Sequence, residues 1–222
     1  MFSMSAKKVR SDRRRSRPIE PKKMNSRTKY VAVGGLVIIV IVASAFILLY
    51  ANSGNDQTVV ENPVAVIDTS KGIIRIELFE DKFPKTCENF IKLVNDGFYD
   101  GMIFHRISDD FMIQAGNTYS DGQVVSSPYG TIEFESDPDV SHEDGSISMA
   151  STGYAVGGSA QFFICDGAQP GLDGGYAVFG KTIEGIEVVR DIADDSHDAS
   201  LEPSPGGGKP LEDILINSIT IE

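Results

Sequence analysis

The chain has 222 residues, of which 41% are hydrophobic and 23% are charged, with a formal net charge of −12. This length accommodates one ordinary domain with an appendage, and the apolar fraction is enough for a packed core. The two cysteines, Cys87 and Cys165, exclude a disulfide framework, and neither has metal-ligand spacing with a histidine, so we predict two separate core thiols and no metal site.

The charge is divided unevenly along the chain. Residues 1–30 contain eleven lysines or arginines and two acids, a net of +9, which leaves −21 for the remainder. This segment has no apolar period, so we predict a disordered basic tail. The run Arg13-Arg14-Arg15 would suit nucleic-acid binding. The segment that follows favours a topology signal instead, and we predict no nucleic-acid partner.

Residues 31–51 are predicted to form a transmembrane helix. The twenty residues from Val31 to Tyr50 carry no charge and would span roughly 30 Å, the thickness of the hydrocarbon core of a bilayer. Basic residues directly before such a span keep that end in the cytoplasm. The sequence therefore predicts a single-pass protein in the lipid bilayer, with a cytoplasmic N-terminus and an extracytoplasmic C-terminal domain.

A cleaved signal peptide is the alternative for the same segment. Ala43-Ser44-Ala45 has the small-x-small form of a cleavage site. However, it lies inside an apolar run that is longer than the usual core of a signal peptide, so an uncleaved anchor is favoured. Residues 52–62 are polar and are predicted to be a linker to a domain over residues 63–222.

The domain begins with short strands. Val64 to Ile67 and Ile73 to Leu78 flank a glycine turn and predict a hairpin. A helix is predicted from Pro84, with an apolar face and a stop at Gly97. Further strands are predicted at residues 107–113, 146–149, 161–165, 177–179 and 214–221, a second helix at 186–194, and a flexible loop at 203–210. Many strands with two isolated helices indicate a mainly β protein, a barrel capped at its ends.

A single arginine, Arg106, lies within an apolar and aromatic run from Phe104 to Asn117. A buried guanidinium without a partner costs several kcal/mol, so a neighbouring acceptor or a ligand must face it. A second aromatic run, Gln161-Phe162-Phe163, follows about fifty residues after Phe111. Together the two runs predict a shallow apolar groove with a few fixed polar groups.

These residues resemble those of a known family. Phe104-His105-Arg106, followed by Phe111-Met112-Ile113-Gln114-Ala115-Gly116, resembles the signature of the cyclophilin peptidyl-prolyl isomerases. The later family blocks are matched in the same order by Ser148-Met149-Ala150, Gln161-Phe162-Phe163-Ile164, Leu172-Asp173-Gly174 and Val178-Phe179-Gly180. The resemblance covers residues 63–222 and implies a closed eight-stranded antiparallel barrel capped by two helices. We expect a monomer.

The implied activity is rotation about the peptide bond before proline, which has a barrier of about 18–20 kcal/mol and needs no cofactor. A guanidinium suits this task because it is always protonated and offers several donors. The resemblance assigns catalytic roles to Arg106, Phe111 and Gln114. It assigns binding of proline-containing polypeptides to Met112, Ala150, Ser151, Gln161, Phe163, Leu172 and Tyr176.

Two other functions remain open from the sequence: a module of the same fold that binds proline segments as a chaperone with little catalysis, and a surface structural protein. The first does not require the arginine and the second does not explain the pocket, so the enzyme is favoured. The acids Glu133, Glu135, Asp137 and Asp139 are predicted to form a solvated face.

The sequence departs from the family pattern at several positions. Asn117 stands for the usual Asp, Ser151 for a frequent Asn, and Tyr176 for a common His. Gly171 occupies the position at which the best-known members carry a tryptophan, which predicts weak cyclosporin binding. Residues 151–160 are similar to the loop of bacterial-type members. None of these changes removes the implied catalytic set.

Overall fold

The computed structural model describes residues 61–201 and 207–222. The predicted tail (1–30), the predicted membrane span (31–51) and most of the predicted linker lie outside these residues, and they stay predictions. Within the described ranges, no helix is long and apolar enough to cross a membrane. The described residues form one unit by their contacts.

The described part of the chain contains ten strands and two α-helices. The strands are β1 (Val64–Thr69), β2 (Gly72–Leu78), β3 (Arg106–Ser108), β4 (Met112–Ala115), β5 (Ser146–Met149), β6 (Phe162–Cys165), β7 (Ala177–Glu184), β8 (His197–Asp198), β9 (Gly207–Pro210) and β10 (Ile216–Ile221). The helices are α1 (Pro84–Asn95) and α2 (Ile186–Ala193), with short 3₁₀ turns at Pro170–Leu172 and Ala199–Leu201.

All strand pairs are antiparallel, in the order β10-β1-β2-β7-β5-β6-β4-β3-β9-β8. The result is one curled sheet, and the mainly β prediction with two helices is confirmed. The prediction of a closed eight-stranded barrel differs from this arrangement in two ways. The sheet of the described residues has ten strands, and its two end strands, β10 and β8, are not paired with each other. The short strands β8 and β9 gave no periodic signal in the sequence.

Strand β9 corrects the prediction of a loop over residues 203–210. Residues 207–210 pair with β3 and β8, while 202–206 lie outside the described residues. A Cβ atom on Gly208 would lie 2.2 Å from the backbone oxygen of Asp198, so glycine permits this close approach of two strands. The glycines therefore mark tight strand packing here.

The segment predicted as one strand over residues 107–113 is a hairpin. Strands β3 and β4 are joined by a turn in which Asp110 has φ of 55°. The register pairs Arg106 with Gln114. The apolar run concealed the turn, because Phe111 continues the run while its backbone leaves the strand. The hairpin places the single arginine opposite a glutamine.

The main core lies between the sheet and the helices. Alternate residues of β1 and β2 are buried in it, as are Cys87, Phe90 and Val94 of the predicted face of α1. Phe90 packs edge-on against Phe162 at a centroid distance of 5.7 Å. Cys87 belongs to this core and Cys165 to a separate cluster, and both are free and buried, which confirms two separate core thiols.

Helix α1 is capped from another segment of the chain. Its N-cap residue, Phe83, makes no side-chain capping bond. Instead, the carboxylate of Glu135 accepts hydrogen bonds from the backbone N–H of Lys85 (3.1 Å), from the backbone N–H of Thr86 (2.8 Å) and from its hydroxyl (2.7 Å). These are donors that a helix leaves unsatisfied at its start. The prediction of a solvated acidic face is therefore wrong for Glu135, although Glu133 is exposed and pairs with Lys85.

Candidate active site

The β3–β4 hairpin gives Arg106 its partners. The guanidinium Nη1 lies 3.4 Å from Oε1 of Gln114 and 3.7 Å from the sulfur of Met112. Its central carbon lies 5.8 Å from the centroid of the Phe111 ring, within the range of a cation–π contact. The expectation that an acceptor faces Arg106 is confirmed. These contacts hold a permanent cation at a half-buried position.

An apolar cluster apart from the main core lies beside this cation. Met112, Phe163 and Cys165 are buried together, and Phe111, Ala150, Leu172 and Tyr176 pack against them. Successive residues of a strand point to opposite faces. On β6, Phe162 and Ile164 therefore enter the main core while Phe163 and Cys165 form this second cluster. The second face of the same strands thus forms the floor of a pocket.

A cavity of about 210 Å³ opens above this floor. Nine of the ten predicted site residues line it: Arg106, Phe111, Met112, Gln114, Ala150, Ser151, Phe163, Leu172 and Tyr176. They come from strands, loops and a 3₁₀ turn that are far apart in sequence. The cavity combines an apolar floor with one guanidinium, one amide and two hydroxyl groups at its edges.

The tenth predicted residue, Gln161, lies beside the cavity. Its Oε1 accepts a hydrogen bond from Nε2 of Gln114 at 2.9 Å. Gln161 lines an adjoining cavity of about 260 Å³, which shares Gln114, Ala150 and Ser151 with the first. We infer that Gln161 orients the amide of Gln114. The sequence did not reveal the second cavity, because its walls include a loop that carries no periodic pattern.

Beneath the floor lies His142, which sequence reasoning missed. Its ring is stacked parallel to Phe163 with centroids 6.0 Å apart, and it meets Tyr176 edge-on at 6.5 Å. Nδ1 and the backbone N–H of His142 both donate to Oδ1 of Asp173, each at 2.8 Å. Asp173 follows Leu172 directly. The Leu172-Asp173-Gly174 block was the only sequence signal, and nothing in its spacing points to His142.

Burial favours the uncharged forms of two titratable groups beneath the pocket, His142 and Cys165. Burial lowers the pKa of His142, although the hydrogen bond that it donates to Asp173 acts in the opposite direction. Burial also raises the pKa of the Cys165 thiol to about 12, so it stays protonated at neutral pH and is not a nucleophile. The cation at the edge of the pocket is Arg106. This geometry suits a reaction assisted by a fixed hydrogen-bond donor.

An antiparallel curled sheet with an arginine at the edge of an apolar pocket is the arrangement that the sequence resemblance implies for an isomerase of proline peptides. The sequence model of the family described as cyclophilin type peptidyl-prolyl cis-trans isomerase/CLD matches residues 64–221. The chain belongs to this family. The prediction of a peptidyl-prolyl cis-trans isomerase is confirmed at the level of the enzyme class.

Relatives in several organisms agree with this assignment. The chain is 41% identical over 142 residues to the peptidyl-prolyl cis-trans isomerase ppi1 of Schizosaccharomyces pombe, covering 62% of this chain and 91% of that protein. It is 42% identical over 130 residues to an isomerase of Synechococcus elongatus, covering 58% and 87%. It is 40% identical over 157 residues to the human peptidyl-prolyl cis-trans isomerase-like 3, covering 70% and 93%.

Solved structures show the same fold. A cyclophilin type isomerase of Cryptosporidium parvum is 33% identical, with a TM-score of 0.64, covering 72% of this chain and 96% of its own. A second structure of that protein, determined in the presence of the dipeptide Ala-Pro, is 32% identical with a TM-score of 0.63, covering 72% and 98%.

Proposed function

We propose that the domain accelerates rotation of X–Pro bonds with Arg106 as the catalytic donor, acting on polypeptides outside the cytoplasm. The observation that carries this proposal is the guanidinium held by Gln114 and Met112 at the edge of the apolar cavity. A measurement of cis–trans exchange in a proline peptide, with and without the full chain, tests it.

The chemistry needs a donor that acts on the twisted bond. The X–Pro bond resists rotation because the nitrogen lone pair is conjugated with the carbonyl group. As the bond twists, the lone pair localises on a pyramidal nitrogen, which becomes a better hydrogen-bond acceptor. A guanidinium that donates to this nitrogen, or to the prolyl carbonyl oxygen, stabilises the twisted state more than the planar one. Rotation is therefore accelerated without a covalent step.

The other residues hold the substrate around this point. Phe111, Met112, Phe163 and Leu172 provide apolar contacts for the proline ring. The amide of Gln114 is fixed between Arg106 and Gln161, and it retains one N–H for the substrate backbone.

Three further residues form the edges of the pocket. Ala150 and Ser151 border the adjoining cavity, and Tyr176 presents an aromatic ring beside Phe163, with centroids 5.6 Å apart.

A binding or chaperone module with little catalysis is the second candidate. The adjoining cavity of about 260 Å³ favours it, because it extends the surface available to an unfolded chain beyond the proline pocket. Binding alone does not require a guanidinium held in place by a neighbouring amide. A parent protein that binds a proline peptide without changing its exchange rate would support this candidate.

The proposed location depends on the sequence. The basic segment 1–30 directly before the uncharged run of 31–51 supports a cytoplasmic N-terminus, a bilayer anchor and an extracytoplasmic domain. Protease added to intact cells should then remove the domain and spare the tail. Protection of the domain with digestion of the tail would reverse the topology, and a mature protein that begins near Phe46 or Asn52 would establish a cleaved signal. We further propose a monomer with no nucleic-acid partner.

A further inference from the structure

The loop between β5 and β6, residues 151–160, borders both cavities, and we name it the rim loop. Ser151 lines the proline pocket and the adjoining cavity, while Val156, Gly157, Gly158 and Ser159 line only the second. The position of this loop therefore determines the shape of the groove on one side.

The second half of the rim loop is fixed to the body of the domain. The carbonyl of Gly158 accepts a hydrogen bond from the backbone N–H of Ile132 at 2.9 Å, and that of Ser159 accepts one from Asn89 at 2.6 Å. A Cβ atom on Gly157 would lie 1.6 Å from the oxygen of Ile132. This half is packed too tightly to move independently.

The first half is held on the opposite side of the groove by Tyr154. The Tyr154 hydroxyl donates to the backbone oxygen of Asp173 at 2.8 Å, and the Ala155 N–H donates to that of Gly175 at 3.0 Å. Ala155 adopts φ of 53°, a conformation that non-glycine residues rarely keep without such support. We call these contacts the Tyr154 clasp.

The Tyr154 ring lies directly on Gly175. A Cβ atom at that position would lie 2.2 Å from Cε2 of Tyr154, and the three nearest atoms that it would meet all belong to this ring. The backbone of Gly175 is outside the left-handed region that favours glycine. The Tyr154 ring is therefore the nearest obstacle to a larger residue at Gly175, although Tyr154 is 64% exposed.

The clasp joins two edges of the proline pocket. The turn that it grips carries Leu172 and Tyr176, and the loop that it holds carries Ser151, all of which line the cavity. We propose that Tyr154 is a positioning residue that determines specificity, because the clasp fixes the gap available to the residues that flank proline. This inference rests on the proposed function and extends it to substrate choice: a clasped groove discriminates against bulky flanking residues.

The test uses the full chain and a series of peptides in which small or bulky residues flank one proline. Exchange spectroscopy gives kcat and KM, and an equilibrium titration gives Kd for the same peptides. In Tyr154→Ala, the preference for small over bulky residues in KM and Kd should fall by about fivefold, because the hydrogen bond to Asp173 and the ring that lies on Gly175 are both lost. The kcat for the small peptide should stay at the parent value. Tyr154→Phe, which keeps the ring, should show a smaller change.

Gly175→Ala is a second way to open the Tyr154 clasp, because the added methyl group displaces the Tyr154 ring. Gly175→Ala should reproduce the selectivity of Tyr154→Ala. The variant that combines both changes should match Tyr154→Ala alone, because the ring that the new methyl group would meet is absent. Gly171→Ala is the matched control: it lies in the same turn, and its Cβ would meet nothing within 4 Å. It should keep the parent selectivity.

The inference is overturned if folded Tyr154→Ala keeps the parent selectivity, if all peptides lose kcat equally, or if the effects of Tyr154→Ala and Gly175→Ala add. A parent protein that binds the peptides without isomerising them would contradict the proposed function alone. In that case the ratios of Kd would still test the clasp.

Discussion

The imidazole of His142 lies parallel to the ring of Phe163, with an interplanar angle of 4° and a centroid distance of 6.0 Å. Phe163 forms part of the floor of the apolar pocket, and the same imidazole donates to Asp173, next to Leu172 in the pocket wall. The buried His142 therefore contacts both Phe163 in the floor of the pocket and Asp173, the residue that follows Leu172 in its wall. We therefore expect protonation of His142 to affect the stability of the domain and the shape of the pocket together.

Stability should fall in mild acid because of His142. Burial lowers its pKa below 6.5, and protonation would place a second N–H at Nε2, which has no hydrogen-bond partner within the described residues. The unfolded chain binds this proton below about pH 6.5 and the folded chain does not, so acid favours unfolding until the lowered pKa is passed. Burial alone would raise the pKa of Asp173, but the hydrogen bonds from His142 lower it, so its carboxylate stays ionised in this window.

Urea unfolding at several pH values between about 5 and 7.5 checks this prediction across the His142 titration range. The free energy of unfolding should decrease with acid in the parent and decrease less in His142→Gln. An equal dependence in both proteins would show that His142 does not cause it.

Removal of the carboxylate that caps α1 should destabilise the domain. Glu135→Ala leaves two backbone N–H groups and the hydroxyl of Thr86 without their acceptor, which should reduce the free energy of unfolding by about 1–2 kcal/mol. Glu133→Ala is the control, because Glu133 contacts the same Lys85 only through an exposed side-chain pair and should change stability little. Chemical denaturation measures both variants. Equal losses would contradict the capping role.

Gly171→Trp should strengthen cyclosporin binding. In the family, a tryptophan at this position contributes an indole donor and an apolar wall to the drug site. Gly171 is exposed in the turn before Leu172, and a Cβ there would meet nothing within 4 Å, so no neighbouring atom obstructs the first atom of a larger side chain. The gain should be about 2–3 kcal/mol, while peptide turnover should be unchanged. Inhibitor titration measures it, and nanomolar inhibition of the parent would refute the prediction.

Most of the pocket was predictable, because the order of the motifs and the resemblance to the cyclophilins identify Arg106, Gln114 and Phe163. The sequence did not reveal contacts between distant segments that have no periodic pattern. Glu135 looked like one acid in a solvated run, and only the fold brings it to α1. Gly207 and Gly208 suggested a loop because glycine-rich runs are typical of loops. Their role in a strand follows from close packing against β8 and β3, which depends on tertiary structure.

Phe163→Ala should reduce peptide affinity and rate together. The ring is only 5% exposed and forms the apolar floor with Met112. Loss of this surface should raise Kd by about tenfold or more. Phe163→Leu, which keeps an apolar side chain, should fall between the parent and Phe163→Ala. Titration with a proline peptide and circular dichroism give affinity and folding. Parent-like affinity in Phe163→Ala would place the proline ring elsewhere.

The most direct test of the account is exchange spectroscopy on a proline peptide with Arg106→Ala, together with Kd for the same peptide. A fixed donor that acts on the twisted bond predicts a loss of turnover of about two orders of magnitude with a much smaller change in Kd. Arg106→Lys should restore little, because an ammonium group does not reproduce the planar fork of donors that faces Gln114. Turnover by folded Arg106→Ala at the parent rate would contradict the mechanism.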